Sequence, residues 1–177
     1  MALPLIQTPF HFPGKVVPAD WIDHNGHMNA WKYHEAFRLP IRNFFELLEF
    51  SQIQGVSAST DRDSSGKTEC GFFMLDFRVQ YIREVLKGVL LSFDVRLIDY
   101  SEKIIHYFVE MHAGQDEYLA STAEVLEIQM NMNTRRPQPF NTTLRTYLSK
   151  MLATHNSLPA VQGVGQHMGI RRRKPAR

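Results

Sequence analysis

Phe73-Met74-Leu75-Asp76-Phe77-Arg78-Val79-Gln80-Tyr81 is where the hydrophobic period of this chain changes. Phe73, Leu75, Phe77, Val79 and Tyr81 alternate with more polar neighbours, the two-residue period of a strand buried on one face. Upstream the period is different. From Met28 onward Trp31, Ala36, Phe37, Phe44, Phe45, Leu47 and Leu48 recur at steps of three and four, which predicts a helix. Apolar side chains occupy most of its circumference, so burial on more than one face is expected. Pro40 has no N–H to give and crowds the preceding turn, so a kink or break is expected there. Downstream the strand period returns in Val89–Leu97, in Ile105–Met111 and in a long last strand, Tyr118–Met132. Asp99-Tyr100-Ser101 and Gly114-Gln115-Asp116 are short turns, and short turns between successive strands make an antiparallel meander.

The flanks complete the outline. Residues 1–14 read as an extended, proline-rich arm, and Lys15-Val16-Val17 as an edge strand that Pro18 terminates. Residues 51–71, with Ser57, Ser59, Ser64, Ser65 and Gly66, read as a loop. Pro137 and Pro139 end the last strand, and a second helix from about Leu144 to Thr154 opens a basic C-terminal region, residues 144–177. One long helix followed by four strands is an α+β order, an antiparallel sheet wrapped over a central helix, in a single domain spanning 1–177.

Composition sets limits on function. A chain of 177 residues that is 44% apolar and 21% charged can bury a core without staples and is not a disordered sequence. The lone Cys70 excludes an internal disulfide framework and a cysteine-based zinc site, and is expected to be inert. The N-terminal segment lacks a basic stretch followed by an apolar run, and no 18-residue apolar window occurs, so a cytoplasmic protein is expected, with no membrane partner. The net charge of +2 conceals an asymmetry. No carboxylate follows Glu127, whereas Arg135, Arg136, Arg145, Lys150, Arg171, Arg172, Arg173, Lys174 and Arg177 do. Such a distribution implies an anionic partner for the C-terminal region. No recognised nucleic-acid module accompanies it, so nucleic acid is not expected.

Asp20-Trp21-Ile22-Asp23-His24-Asn25-Gly26-His27-Met28-Asn29-Ala30-Trp31-Lys32-Tyr33 is the segment with chemical potential. A helix start offers unpaired N–H groups and partial positive charge that polarise a carbonyl or hold an oxyanion. Gly26 lets the backbone approach a ligand closely. A carboxylate just ahead of the helix can attack the polarised carbon or direct a water at it. Aspartate and asparagine at such places also serve as simple helix caps, and local pattern leaves both roles open.

Asp23-His24-Asn25-Gly26-His27-Met28-Asn29 with Tyr33 resembles the D-x-x-G-H-[VM]-N-x-x-x-Y signature of hotdog-fold acyl-CoA thioesterases of the 4-hydroxybenzoyl-CoA type. Within that group Trp21–Met28 is similar to the W-[IV]-D-Y-N-G-H-M segment of betainyl-CoA thioesterases of carnitine breakdown. Met132–Phe140 is similar to their M-x-T-R-R-x-x-P-[FW], and Gly169-Ile170 followed by arginines to their C-terminus. Trp21 stands where many relatives have a first aspartate, and Ala30 where they often have a second asparagine.

The resemblance implies a hotdog fold, hydrolysis of an acyl-CoA, and active sites shared between subunits of a dimer or a larger homo-oligomer. Asp23 matches the catalytic carboxylate, as nucleophile or as general base. Gly26 and His27 shape the turn, and N–H groups around Met28, Asn29 and Ala30 polarise the thioester. Betainyl-CoA is the expected substrate. The alternatives are another short or aromatic acyl-CoA, or a hotdog module that binds acyl-CoA or a partner without catalysis. Trp21, Asn25, Trp31 and Tyr33 are candidates for the acyl pocket, with Trp31 placed to meet a trimethylammonium group through its π face. Arg135, Arg136, Arg171 and Arg172 are candidates for the phosphates of CoA. No cofactor is expected beyond the CoA of the substrate, and no metal. His24 and His27 lack a helical H-x-x-x-H partner, and His106 and His112 are read as ordinary polar-face residues.

Overall fold

A computed structural model describes residues 6–55, 70–161 and 163–170. Its elements are β1 (Phe10–Val16), α1 (Ala30–Gly55), β2 (Cys70–Tyr81), β3 (Leu90–Tyr100), β4 (Ile104–Ala113), β5 (Tyr118–Asn131), a two-residue β6 (Arg136–Pro137) and α2 (Thr142–His155). The strands run antiparallel in the order β1-β3-β4-β5-β2, with β6 on β5, and α1 lies on the inner face of the sheet. This is the expected α+β hotdog arrangement.

The core is aromatic. Phe37 of α1 meets Phe93 of β3 with ring centroids 6.0 Å apart, and Phe44 meets Tyr107 of β4 at 5.4 Å. Phe10 of β1 closes on Phe44 at 5.9 Å. Truncating one such ring to alanine costs about 3–5 kcal/mol, so these contacts fix the helix against the sheet. Over residues 30–48 the exposed side of α1 is a single stripe of Trp31, Glu35, Arg38, Leu39, Arg42 and Glu46. In one chain this part of the helix is therefore buried along one broad face, not on several. Pro40 is buried and does not break α1. The helix also runs to Gly55, beyond the expected loop boundary, and most of that expected loop lies outside the described residues.

β1 and β2 also differ from expectation. β1 begins at Phe10, inside the expected arm, because Phe10 pairs with Val95 and packs inward. In β2 the even alternation fails: the register shifts between Met74 and Asp76. This bulge reverses the phase of the pleat. Phe77 and Val79 pack on the core, while Phe73 and Leu75 stand 40% and 54% exposed, and Phe72 instead meets Phe45 at 4.5 Å.

The outer face of the sheet is partly roofed by chain that follows α2. Arg96 donates to the Pro159 carbonyl at 2.7 Å, and the Gly165 N–H donates to Glu124 Oε1 at 2.7 Å. Beneath it His106 Nε2 lies 2.8 Å from Glu124 Oε1, both side chains only 3% exposed. His106 is thus a buried, paired residue and not an ordinary polar-face one.

Candidate active site

Ile22 and Met28 face each other across an isolated antiparallel bridge, making residues 22–28 a small hairpin ahead of α1. The Asp23 N–H donates to the His27 carbonyl at 3.0 Å, and the Gly26 N–H to the Asp23 carbonyl at 3.0 Å. Gly26 takes φ +86°, the left-handed conformation that closes a three-residue hairpin loop without a Cβ penalty. The Asp23 carboxylate accepts the Asn25 N–H through Oδ1 at 2.8 Å. Asp23 thereby caps the hairpin turn, while the helix cap is Asn29, whose Oδ1 accepts the Trp31 N–H at 3.0 Å. The Asp23 side chain remains half-buried, and Oδ2 has no hydrogen-bond partner among the described residues.

The amide donors expected at the helix start separate into two groups. Met28 donates its N–H to the Val85 carbonyl at 2.7 Å and Asn29 to the Trp21 carbonyl at 2.8 Å. Neither is free to polarise a ligand. The Ala30 N–H has no acceptor among the described residues and stands at the positive end of the 26-residue α1. Tyr81, at the end of β2, leans over the same place, its hydroxyl 3.4 Å from the Ala30 carbonyl.

The aromatic candidates separate as well. Trp21 is 2% exposed and carries Lys15 Nζ over its ring, 3.8 Å from the centroid. With its carbonyl holding Asn29, it anchors the base of the hairpin and has no free face for a ligand. Tyr33 is 4% exposed and packs edge-on to Tyr81 at 5.0 Å. Burial pushes its hydroxyl up to about 12, partly offset by a backbone hydrogen bond with Val85, so it stays neutral at ordinary pH. Trp31 is 77% exposed and leans on His34 at 5.9 Å. Asn25 is exposed on the hairpin, and His27 is half-buried with Nδ1 3.3 Å from the Met28 carbonyl.

Arg135 and Arg136 are exposed, and Arg136 pairs with Asn131 at the far end of β5. Tyr81, beside Ala30, pairs with Ser121 near the other end. Ten residues of strand between those registers span on the order of 30 Å, so a single chain does not bring these arginines to Asp23. Arg171 and Arg172 lie outside the described residues. Sequence reasoning missed Val85 and Tyr81, whose roles depend on a loop and a strand end folding back onto the helix start.

Among known proteins, the family model described as the thioesterase-like superfamily matches residues 17–148. Proteins of Ruegeria pomeroyi and Rhizobium meliloti, each named L-carnitine dehydrogenase/betainyl-CoA thioesterase, are 24% and 21% identical over 99% and 93% of the chain. The chain spans only 34% and 31% of the length of these curated relatives. A hypothetical protein of Staphylococcus aureus, solved in complex with CoA, superposes with a TM-score of 0.68 at 23% identity, covering 96% of this chain and 100% of the other. A 1,4-dihydroxy-2-naphthoyl-CoA thioesterase of Synechocystis does so with a TM-score of 0.62 at 10% identity, covering 81% and 97%. None of the described helices is long and apolar enough to cross a membrane.

Proposed function

The chain belongs to the thioesterase-like superfamily, and from that premise we propose that it hydrolyses an acyl-CoA to the free acid and CoA. The observation that carries this reading is the half-buried Asp23 carboxylate ahead of α1, with the Ala30 N–H lacking an acceptor among the described residues. Asp23 attacks the thioester carbon, or takes a proton from the water that does. The developing oxyanion accepts from the Ala30 N–H, a type of contact worth about 2.7–4 kcal/mol in the transition state. The C–S bond then breaks, the thiolate leaves and is protonated, and water supplies the second oxygen of the acid.

Betainyl-CoA is the favoured substrate, giving glycine betaine. The relatives carrying that name and the Trp21–Met28 segment support it. A cytoplasmic site of action suits a chain with a single cysteine.

The proposed site also calls for a second copy of the chain. Among the described residues β2 ends the sheet with one unpaired edge, and it exposes Phe73, Met74 and Leu75. A long, apolar free edge is a template for pairing. Antiparallel pairing of β2 with its own copy about its midpoint sets Cys70 of one chain beside Tyr81 of the other. Arg135 and Arg136 of the second copy then approach the Asp23 end of the first, which suits a role on the phosphates of CoA.

A panel of acyl-CoA esters that includes betainyl-CoA, assayed by release of free thiol, tests the proposal. Preferential hydrolysis of betainyl-CoA is expected. Hydrolysis of other esters only would replace the substrate, and no thiol release from any ester would reject the activity.

A further inference from the structure

On the outer face of the sheet, the face turned away from α1, three adjacent strands place a row of ligating side chains side by side. His11 of β1 is in register with Asp94 of β3, and Asp94 with Glu110 of β4. His112, two residues further along β4, sits opposite Ser92, whose small side chain leaves room beside Asp94. One ligand atom each from Asp94, Glu110 and His112 lies within 4.8 Å of the other two.

The imidazole of His112 has a particular geometry. Its Nδ1 is 3.1 Å from the Glu117 carbonyl, which can only accept, so Nδ1 carries the hydrogen. In the neutral ring Nε2 then presents a bare lone pair. That nitrogen is shut off from solvent, has no hydrogen-bond partner among the described residues, and faces Asp94 Oδ2 at 3.6 Å. Two acceptors face each other there only with a cation between them, a metal ion or a proton on Nε2, and the geometry favours the metal ion. The separation is too long for a hydrogen bond, yet it suits two ligands of one ion. Ligand atoms at about 2.0–2.2 Å from a tetrahedral centre stand roughly 3.4 Å apart.

The surroundings fit the same interpretation. His11 Nδ1 lies 2.9 Å from Asp94 Oδ1, so it holds the carboxylate in place and leaves Oδ2 for the ion. Together with the Glu117 carbonyl on His112, this is the outer shell that orients metal ligands. Asp94 and Glu110 also line a groove of about 600 Å³ beneath Leu158–Val161, which gives an ion a way in. Arg96, the nearest cation on β3, spends its charge on the Pro159 carbonyl and lies over the Phe108 ring, 6.0 Å from its centroid.

We propose that Asp94, Glu110 and His112 bind a divalent first-row metal ion, zinc being the best match to a one-nitrogen, two-carboxylate set. Water completes its coordination, and His11 orients Asp94. The ion ties β3 to β4, and through His11 to the edge strand β1. It is a structural clip independent of thioester hydrolysis.

The test uses the full chain, free of any affinity tag and stripped with chelator. Zinc titrated by calorimetry should bind saturably at one ion per chain and raise the Tm. Cobalt should give the visible absorption of a low-coordinate site. His112→Gln and Asp94→Asn should lose saturable binding, with Tm values in chelator close to that of the parent. His11→Ala should weaken it about 10- to 100-fold, as loss of an outer-shell partner does. Binding that survives both ligand substitutions would overturn the proposal. So would absence of saturable zinc binding, with NMR showing hydrogens on both ring nitrogens of His112, because a proton would then bridge it to Asp94. If either ligand variant fails to fold, the cobalt spectrum and stoichiometry of the parent chain decide the matter alone.

Discussion

The Val85 carbonyl accepts the Met28 N–H at 2.7 Å, and this one bond decides which amide at the start of α1 can serve chemistry. It fastens the Asp23 hairpin to the loop after β2 and takes Met28 out of the set of possible oxyanion donors. With Asn29 held by the Trp21 carbonyl, Ala30 is left as the first helical N–H without an acceptor among the described residues. The hairpin is thus a rigid presenter of one carboxylate beside one amide.

Asp23→Asn should separate chemistry from structure. Asparagine keeps an Oδ1 to accept the Asn25 N–H, so the hairpin and the Tm should be unchanged. A lost general base lowers kcat by roughly 10²- to 10⁴-fold, and a lost nucleophile by at least as much. Thiol-release kinetics with a parallel acyl-CoA binding measurement check this. Full activity in the variant would remove Asp23 from the mechanism.

How much of this was legible in the chain follows from which forces are local. The helix that became α1 and the meander could be read because Phe37, Phe44, Phe93 and Tyr107 follow their periods and do pack together. The bulge in β2 could not, since Phe73 and Leu75 satisfy the strand period as well as the residues that are actually buried. The hairpin was visible through Gly26, which the turn requires at φ +86°. Its hydrogen bonds to Val85 and Trp21 were not, because they depend on where distant backbone lies. For the same reason Trp21 and Tyr33, aromatic and close to the motif, looked like pocket residues and are core. The outer-face cluster was invisible for a different reason. His11, Asp94, Glu110 and His112 become neighbours only through strand register.

Trp31 is the most exposed aromatic near the hairpin among the described residues, at 77% against 53% for Tyr81. Trp31→Leu should leave the Tm within about 1 °C, since an exposed side chain contributes little to folding. If its ring meets the trimethylammonium group, KM for betainyl-CoA should rise by up to about 30-fold, the equivalent of a desolvated cation–π contact of ~2 kcal/mol. KM for an uncharged acyl-CoA of similar size should move far less. Equal changes for both esters would discard the aromatic contact.

Leu75 lies at the bulge of β2, the edge strand among the described residues, and is 54% exposed. Leu75→Lys places a charge where a second β2 would pair, a substitution that blocks edge association. The expected result is a monomer by light scattering, with far-UV circular dichroism retained and thiol release lost. A dimer with full activity would show that the copies associate elsewhere or that one chain suffices.

Glu127 is 5% exposed and accepts the Tyr107 hydroxyl at 2.7 Å. Burial raises its carboxyl above the usual range, and the hydrogen bond from Tyr107 only partly opposes this. The native state therefore keeps a proton that the unfolded chain has lost. Its stabilising contribution is complete below the unfolded carboxyl value of about 4.3 and disappears as pH rises through the native one. Glu127→Gln keeps an acceptor for Tyr107 and cannot ionise. Urea unfolding across pH 4 to 8 should show the parent losing stability relative to the variant as pH rises. Parallel curves would mean that Glu127 titrates alike in both states.

His155 works in the opposite sense. It is 3% exposed, its Nδ1 accepts the Leu97 N–H at 2.8 Å, and its Nε2–H donates to the Gln7 carbonyl at 2.8 Å. One neutral ring therefore joins α2 to β3 and to the chain entering β1. Burial lowers its pKa, with the hydrogen bond to Gln7 partly opposing. Protonating Nδ1 would abolish the bond from Leu97, so the unfolded chain takes up this proton first. Stability from His155 is complete above about 6.5, the unfolded value, and is lost as pH falls through the lower native one. Amide exchange should show Leu97 losing protection with acidification over that window, together with the amides of β1 that the same ring restrains. In His155→Gln that pH dependence should vanish, with Leu97 less protected at every pH. Unchanged Leu97 protection through the whole window would show that the ring never takes the proton in the folded protein, and that the acid sensitivity of this corner arises elsewhere.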